Sequence, residues 1–240
     1  MKRREFLGSG MLALLQAQPG GPKLKVVCVG AHPDDPESGC GGTLARYTQA
    51  GHRVSILYLT RGERGIRGKS YEEAAAIRSA EAETACKILG AKPAFAGQIN
   101  GAAELNDARA GQLSKLVLAE EPDVVFTHWP LDTHMDHQIA SVLTFRAYLA
   151  SPRRFALYFF EVNSGSQTVG FQPTDYVDIT PVREKKKAAL FAHKSQDGEE
   201  IYRKHHEIME NFRGREARVA AAEAFVRLGR DSRLPGAEGR

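Results

Sequence analysis

Strand-length apolar runs alternate along this chain with longer helical patterns, and that alternation limits the fold more than any other feature. Lys25–Gly30, Arg53–Thr60, Pro93–Ala96, Asp123–His128 and Phe155–Val162 read as strands, with Tyr176–Ile179 as a further short one. Between them, Gly41–Ala50, Tyr71–Leu89, Asp107–Glu121 and His134–Leu149 read as helices, and Gly51 and Gly90 stop the first two. From Pro181 to about Leu228 the pattern is helical and charged. Such alternation predicts an α/β fold, a mostly parallel sheet with helices on both faces and a helical C-terminal extension. No internal repeat or long linker interrupts it, so residues 23–228 read as one domain, with a disordered tail at 229–240. In the common strand order 3-2-1-4-5, the first strand lies beside the fourth, and ligands bind at the carboxyl ends where the order reverses.

That order makes two loops neighbours. The first strand runs into "AHPDDPESGCGG", which holds His32, Asp34 and Asp35. The fourth runs into "HWPLDTHMDH", which holds His128, Asp132, His134, Asp136 and His137. Adjacent carboxylates repel, and a cation is the first candidate to offset the repulsion. Imidazole and carboxylate without thiolate suit zinc or a similar divalent ion, and a catalytic site takes three protein ligands and an open position. His32 and Asp35 are close enough in one tight loop to aim at a single point, and His137 would complete the set. Asp34 then points elsewhere, beside the metal, where a carboxylate can take a proton from water. His134 and His137 share one face at a helix start, so one can ligate while the other faces the substrate as hydrogen-bond donor or acid. Asp136 is placed to orient one of these rings. His128, at a strand end, reads as a core or supporting residue, and Cys40 as a packed one.

The remaining composition narrows the class. Hydrophobic residues make up 42% and charged residues 26%, as in a soluble globular protein. The net charge is +4, with basic clusters at 183–187 and 203–206, but acids interleave with the bases and no aromatic-basic motif occurs. That argues against a nucleic-acid partner. The three cysteines form no C-x-x-C pair. No dinucleotide-binding G-x-G-x-x-G follows the first strand.

The N-terminus is distinct from the rest. An arginine pair, Arg3-Arg4, precedes an apolar stretch from Phe6 to Leu15 and a small residue at Ala17. Residues 1–22 read as a signal peptide of twin-arginine type, with an exported mature protein expected and a cytoplasmic one as the alternative. The apolar stretch is too short for a permanent membrane span.

Several stretches resemble the LmbE-like (PIG-L) N-acetylglucosaminyl deacetylase family: "AHPDDPESGCGGTLA" at 31–45, "LTRGERG" at 59–65, "IRSAEAETACKILG" at 77–90, "DVVFTHWPLDTHMDH" at 123–137 and "KKKAALFAHKSQ" at 185–196. The resemblance implies a Rossmann-like three-layer fold and a zinc-dependent amide hydrolase that removes acetyl groups from N-acetylglucosamine-type sugars or glycoconjugates. Fe2+ or another divalent ion could replace zinc. It implies His32, Asp35 and His137 as metal ligands, Asp34 as general base, His134 as oxyanion stabiliser or acid, and Asp136 as its support. It also implies Arg78 as a substrate-binding residue; the plain alternative is a helix-surface pair of Arg78 with Glu81. His193 reads equally as a pocket residue or a helix cap. Family members place a tyrosine near the oxyanion, and Tyr158, Tyr176 and Tyr202 cannot be told apart here. Another metal-dependent amidase or esterase on the same scaffold, or a non-enzymatic sugar- or metal-binding protein, remains as an alternative, and the sequence leaves a homo-oligomer open.

Overall fold

The run Lys25-Val-Val-Cys-Val-Gly is apolar on both faces, as a strand covered on both sides must be, and it forms the central strand β1 (Lys25–Gly30). The computed structural model describes residues 23–229. The expected signal segment and residues 230–240 of the expected tail lie outside the described residues. In chain order β1 is followed by α1 (Asp35–Gln49), β2 (Arg53–Thr60), α2 (Tyr71–Leu89), β3 (Lys92–Gln98), α3 (Asp107–Ala119), β4 (Val124–His128), α4 (Met135–Ala150) and β5 (Ala156–Phe160). Then come β6 (Asp175–Asp178), α5 (Arg183–Phe191), α6 (Gly198–Ile201), α7 (Glu207–Ala217) and β7 (Ala222–Leu228).

The sheet order is β3-β2-β1-β4-β5-β7-β6. Its first five strands are parallel and match the expected order, so β1 does lie between β2 and β4. Residues alternate along β1 into two cores. Val26 and Cys28 join Leu44, Tyr58, Phe126 and Phe160 on the α1, α2 and α5 side. Val27 and Val29 join Leu57, Leu113, Val125 and Leu143 on the α3 and α4 side. This is the three-layer architecture expected.

The C-terminal extension differs from the expectation at its end. Helix continues only to Ala217, where Arg218 takes a left-handed φ of 61°, and Ala222–Leu228 is a strand. It pairs antiparallel with both β5 and β6. Alanine and glutamate favour a helix in isolation, but insertion between two strands overrides that weak preference. Glu223, on β7, is the reason the segment carries a buried acid. Its carboxylate accepts from the Gly42 and Thr43 backbone N–H groups at 2.8 and 2.7 Å, and pairs with Lys186 at 2.7 Å.

Helix α1 also starts earlier than expected, at Asp35 rather than Gly41. The glycines that read as loop are packing positions inside the helix. A Cβ on Gly39 would lie 2.4 Å from the Phe160 ring and 2.9 Å from the Glu161 carbonyl oxygen, and one on Gly42 would lie 2.6 Å from Ile179. Helix propensity alone favours alanine over glycine by about 1 kcal/mol. The close approach reverses the sign: Gly39→Ala is expected to lower stability by about 1–3 kcal/mol, read from the urea midpoint. A more stable variant would refute the packing account.

His206 gives a pH test of the same region. It is buried between α1 and the C-terminal helices, and burial, with Lys186 nearby, pushes its pKa down to about 3. Its unfolded value is near 6.5, so the unfolded chain binds a proton first as pH falls. Stability is therefore intact above pH 6.5 and is lost between about 6.5 and 3. Wild type should lose about 2 kcal/mol through this residue between pH 8 and pH 5. His206→Gln should flatten that part of the slope in urea titrations at the two pH values; an unchanged slope would refute the assignment.

Candidate active site

Pairing of β1 with β4 brings their carboxyl ends together, Val29 beside Thr127. After β1 the chain turns through Ala31-His32-Pro33-Asp34 into α1, whose second residue is Pro36. Asp34 caps the helix with φ of 112°, a strained conformation for a residue with a side chain. After β4 the loop reaches His134, which caps α4: its Nδ1 accepts from the Asp136 backbone N–H at 3.2 Å.

The two loops close around Asp35. His32 Nδ1 lies 3.0 Å from Asp35 Oδ2, and His137 Nε2 lies 3.3 Å from Asp35 Oδ1. Each ring turns its other nitrogen to an outer carboxylate. His32 Nε2 is 2.9 Å from Asp136 Oδ2, and His137 Nδ1 is 3.1 Å from Asp132 Oδ1. One donor atom from each of His32, Asp35 and His137 falls within 4.8 Å of the others, and all three residues are buried. A second trio, His32, His134 and Asp136, meets the same limit. The first fits a divalent cation better, because both its imidazoles are backed by carboxylates, as metal-binding histidines are.

Electrostatics agree. Burial alone would raise Asp35, but the imidazoles of His137, His32 and His128 hold it well below the usual carboxylate range. Against its burial, the carboxylates of Asp35 and Asp132 push His137 up to about 10. The field at this point favours positive charge. His128 stands behind the cluster and outside it, as expected. Its Nε2 accepts from the Ala31 N–H at 2.9 Å, its ring stacks on His137, and burial pushes it down to about 4.

Asp34 hydrogen-bonds neither imidazole among the described residues. The Arg78 guanidinium donates to Asp34 Oδ2 at 2.9 Å and to the Pro33 carbonyl. The Asp34 N–H donates to Glu37 Oε2 at 3.3 Å. Burial pushes the Asp34 carboxyl up, and Arg78 opposes it. The glycines of "LTRGERG" make room for this arginine: a Cβ on Gly62 or Gly65 would come within 2.5 or 2.4 Å of its side chain. A surface pair with Glu81 is absent; Glu81 instead accepts from the Ser195 N–H and hydroxyl at 2.8 and 2.7 Å.

Beside Asp34 and Asp35 lies a cavity of about 350 Å3. Its far wall is Asn163, Ser166 and Gln167, from the loop after β5, with His193, Gln196 and His205 from the C-terminal helices. The amides escaped sequence reasoning because neither spacing nor periodicity marks them. His193 is wholly buried and part of this wall, with Nε2 3.4 Å from Glu37 Oε1. None of the three candidate tyrosines lines the cavity. Tyr158 stacks on Phe126 in the core, Tyr176 donates to Glu216 and Tyr202 to Glu210. Arg78 does not line it either, so Arg78→Ala is expected to lower kcat about 10–100-fold with KM nearly unchanged. A KM effect with kcat intact would instead support the substrate-binding role expected from the sequence.

The family model described as GlcNAc-PI de-N-acetylase (PIG-L) matches residues 27–148, just over half the chain and both site loops. The chain belongs to the PIG-L family. Diacetylchitobiose deacetylase of Thermococcus kodakarensis is 33% identical over 193 residues, 74% of this chain and 72% of that protein. A Mycobacteroides abscessus deacetylase named for 1D-myo-inositol 2-acetamido-2-deoxy-alpha-D-glucopyranoside is 28% identical over 227 residues, 72% of this chain and 81% of that one. The solved N,N'-diacetylchitobiose deacetylase of Pyrococcus horikoshii superposes with a TM-score of 0.77 at 25% identity, over 85% of this chain and 84% of that one. The PIG-L match ends within α4, while the structural likeness takes in 85% of this chain. Among the described residues, no helix of this PIG-L chain is long and apolar enough to cross a membrane.

Proposed function

We propose that this PIG-L protein is a divalent-metal-dependent hydrolase that removes the acetyl group from an N-acetylglucosamine-type sugar or glycoconjugate. The carrying observation is the arrangement of Asp34 beside, but not within, the buried group of His32, Asp35 and His137. Those three would hold the metal, and their nitrogen and oxygen donors suit zinc, with Fe2+ as an alternative. When bound, the cation polarises the amide carbonyl and lowers the pKa of water towards about 7.

The chain's own residues supply the rest. Asp34 takes a proton from the attacking water, and its buried carboxyl, raised towards the working range, suits that exchange. The C–N bond breaks, the same proton goes to the departing amine, and acetate is left. His134 accepts at Nδ1 from the Asp136 N–H, so in the neutral ring the proton sits on Nε2. Burial lowers its pKa, which keeps the ring neutral. That Nε2–H is the group we assign to the oxyanion. The Asp136 carboxylate supports His32 rather than His134, and accepts from the Gly101 N–H at 2.6 Å.

The N-terminal arginine pair and apolar run support export of the mature enzyme, which cell fractionation tests. The activity is tested by acetate release from a panel of N-acetylated sugars by zinc-loaded protein. Release by wild type supports the reading. No release from a sample with one metal bound per chain would overturn it in favour of another amide or ester.

A further inference from the structure

The loop after β4 and the loop after β5 are joined by a side chain that belongs neither to the metal-binding group nor to the cavity wall. Thr168 is buried. Its hydroxyl donates to Asp132 Oδ2 at 3.2 Å and accepts from the Val162 and Asn163 N–H groups at 3.1 and 3.3 Å. One donor and two lone pairs are all that a hydroxyl has, so the group is fully used. Backbone pairing surrounds it. Asp132 and Thr168 form an antiparallel bridge, the Thr133 N–H donates to the Gln167 carbonyl at 3.0 Å, and the Val169 N–H donates to the Leu131 carbonyl at 2.8 Å.

The hydroxyl reaches into both halves of the site. On one side, Asp132 Oδ1 accepts from the His134 N–H at 2.8 Å and lies 3.1 Å from His137 Nδ1. With His137 Nε2 given to a cation, the ring proton sits on Nδ1. A carboxylate is the acceptor it takes in preference to the Gln167 amide nitrogen, 3.3 Å away. Thr168 donates to the other oxygen of that carboxylate, which leaves Oδ1 aimed at the ring. On the other side, the hydroxyl closes a tight turn. The Gln167 and Thr168 N–H groups both donate to the Asn163 carbonyl at 2.9 Å, and Gly165 takes the left-handed φ of 92° that the turn requires. Asn163, Ser166 and Gln167 of that turn are cavity wall.

We propose that the Thr168 hydroxyl is a positioning group shared by the metal-binding group and the substrate wall, on the metal-dependent reading above. Through Asp132 it holds His137 at the angle and in the tautomer that a divalent cation needs. Through the Val162 and Asn163 N–H groups it holds the wall across the cavity from Asp34. Metal affinity and substrate KM therefore depend on one side chain that is part of neither surface.

The test compares Thr168→Val, which keeps the shape and drops the hydroxyl, with Thr168→Ser, which keeps the hydroxyl. Zinc affinity is read on the full chain by competition with a chromophoric chelator. Thr168→Val should bind zinc about tenfold more weakly, and Thr168→Ser should restore the wild-type affinity. At saturating zinc, Thr168→Val should raise KM about 3–10-fold for an N-acetylated sugar that wild type turns over, with kcat falling less. Where Thr168→Val does not fold, Thr168→Cys takes its place; a thiol donates and accepts only weakly, so smaller losses in the same direction are expected. Wild-type zinc affinity or wild-type KM in the variant without a hydroxyl would overturn the proposal, as would a serine variant as weak as the valine one. Wild type that binds zinc and releases no acetate would overturn the deacetylase reading, and zinc affinity would still decide the role of Thr168. Wild type that binds no zinc would overturn the metal reading instead, and the metal-free protein then decides. Its hydrogen-bonded His137 ring N–H is a downfield proton resonance, identified by its loss in His137→Gln. That resonance should shift in Thr168→Val and return in Thr168→Ser; an unmoved resonance overturns the positioning role.

Discussion

Asp34→Asn is expected to lower turnover by at least about a thousandfold while the protein keeps its metal. The substitution is nearly isosteric. An asparagine oxygen can still accept from Arg78, and asparagine tolerates positive φ better than most residues, so the strained turn at φ of 112° should persist. What is lost is the ability to take a proton and return it. Because Asp34 lies outside the His32, Asp35 and His137 group, metal content per chain should stay at the wild-type value. Both quantities are measured on one preparation: acetate release and bound metal. Wild-type turnover in Asp34→Asn would remove the general-base role, and loss of metal would move Asp34 into the ligand set.

The second large effect comes from Asp35. Both inner imidazoles, one from each loop, converge on its two oxygens. Asp35→Ala leaves His32 and His137 with no carboxylate between them and should cost most of the metal affinity and nearly all activity. In wild type, a chelator should stop acetate release and a divalent ion should restore it. The folded state binds the metal and the unfolded chain lacks the assembled site, so removal should also lower the melting temperature. At a free-metal concentration a hundred times Kd, the stabilisation lost is about 2.7 kcal/mol. Metal-free protein that keeps its full rate would refute the metal dependence. An unchanged melting temperature on chelation would place the cation somewhere other than this buried group.

Much of this site is legible in the residues because it sits on short local patterns. His32-Pro-Asp-Asp after an apolar run, and His134 and His137 at a helix start, each carry spacing that geometry converts to direction. The sheet order then joins them. What the pattern hides are features that depend on distant partners. The glycines of α1 look like a loop until Phe160 and Ile179 press against them. The 222–228 segment looks helical until β5 and β6 claim its backbone. Arg78 reads as a ligand for substrate, and only the path through Gly62 and Gly65 shows it on Asp34. The amides of the cavity wall have no local signature at all, since the loop after β5 and the C-terminal helices meet only in the folded chain.

The position of β7 has a consequence for how the enzyme is made. The first candidate-site loop and α1 are among the first structured parts to leave a ribosome, yet Glu223, which receives the Gly42 and Thr43 N–H groups and balances Lys186, is among the last. β7 must also enter between two strands already synthesised, β5 and β6. A nascent chain halted before residue 222 therefore holds both halves of the candidate metal-binding group but not the acid that steadies the helix behind it. A chain ending there is therefore expected to lose folding stability along with activity, which a melting curve of the shortened protein would show.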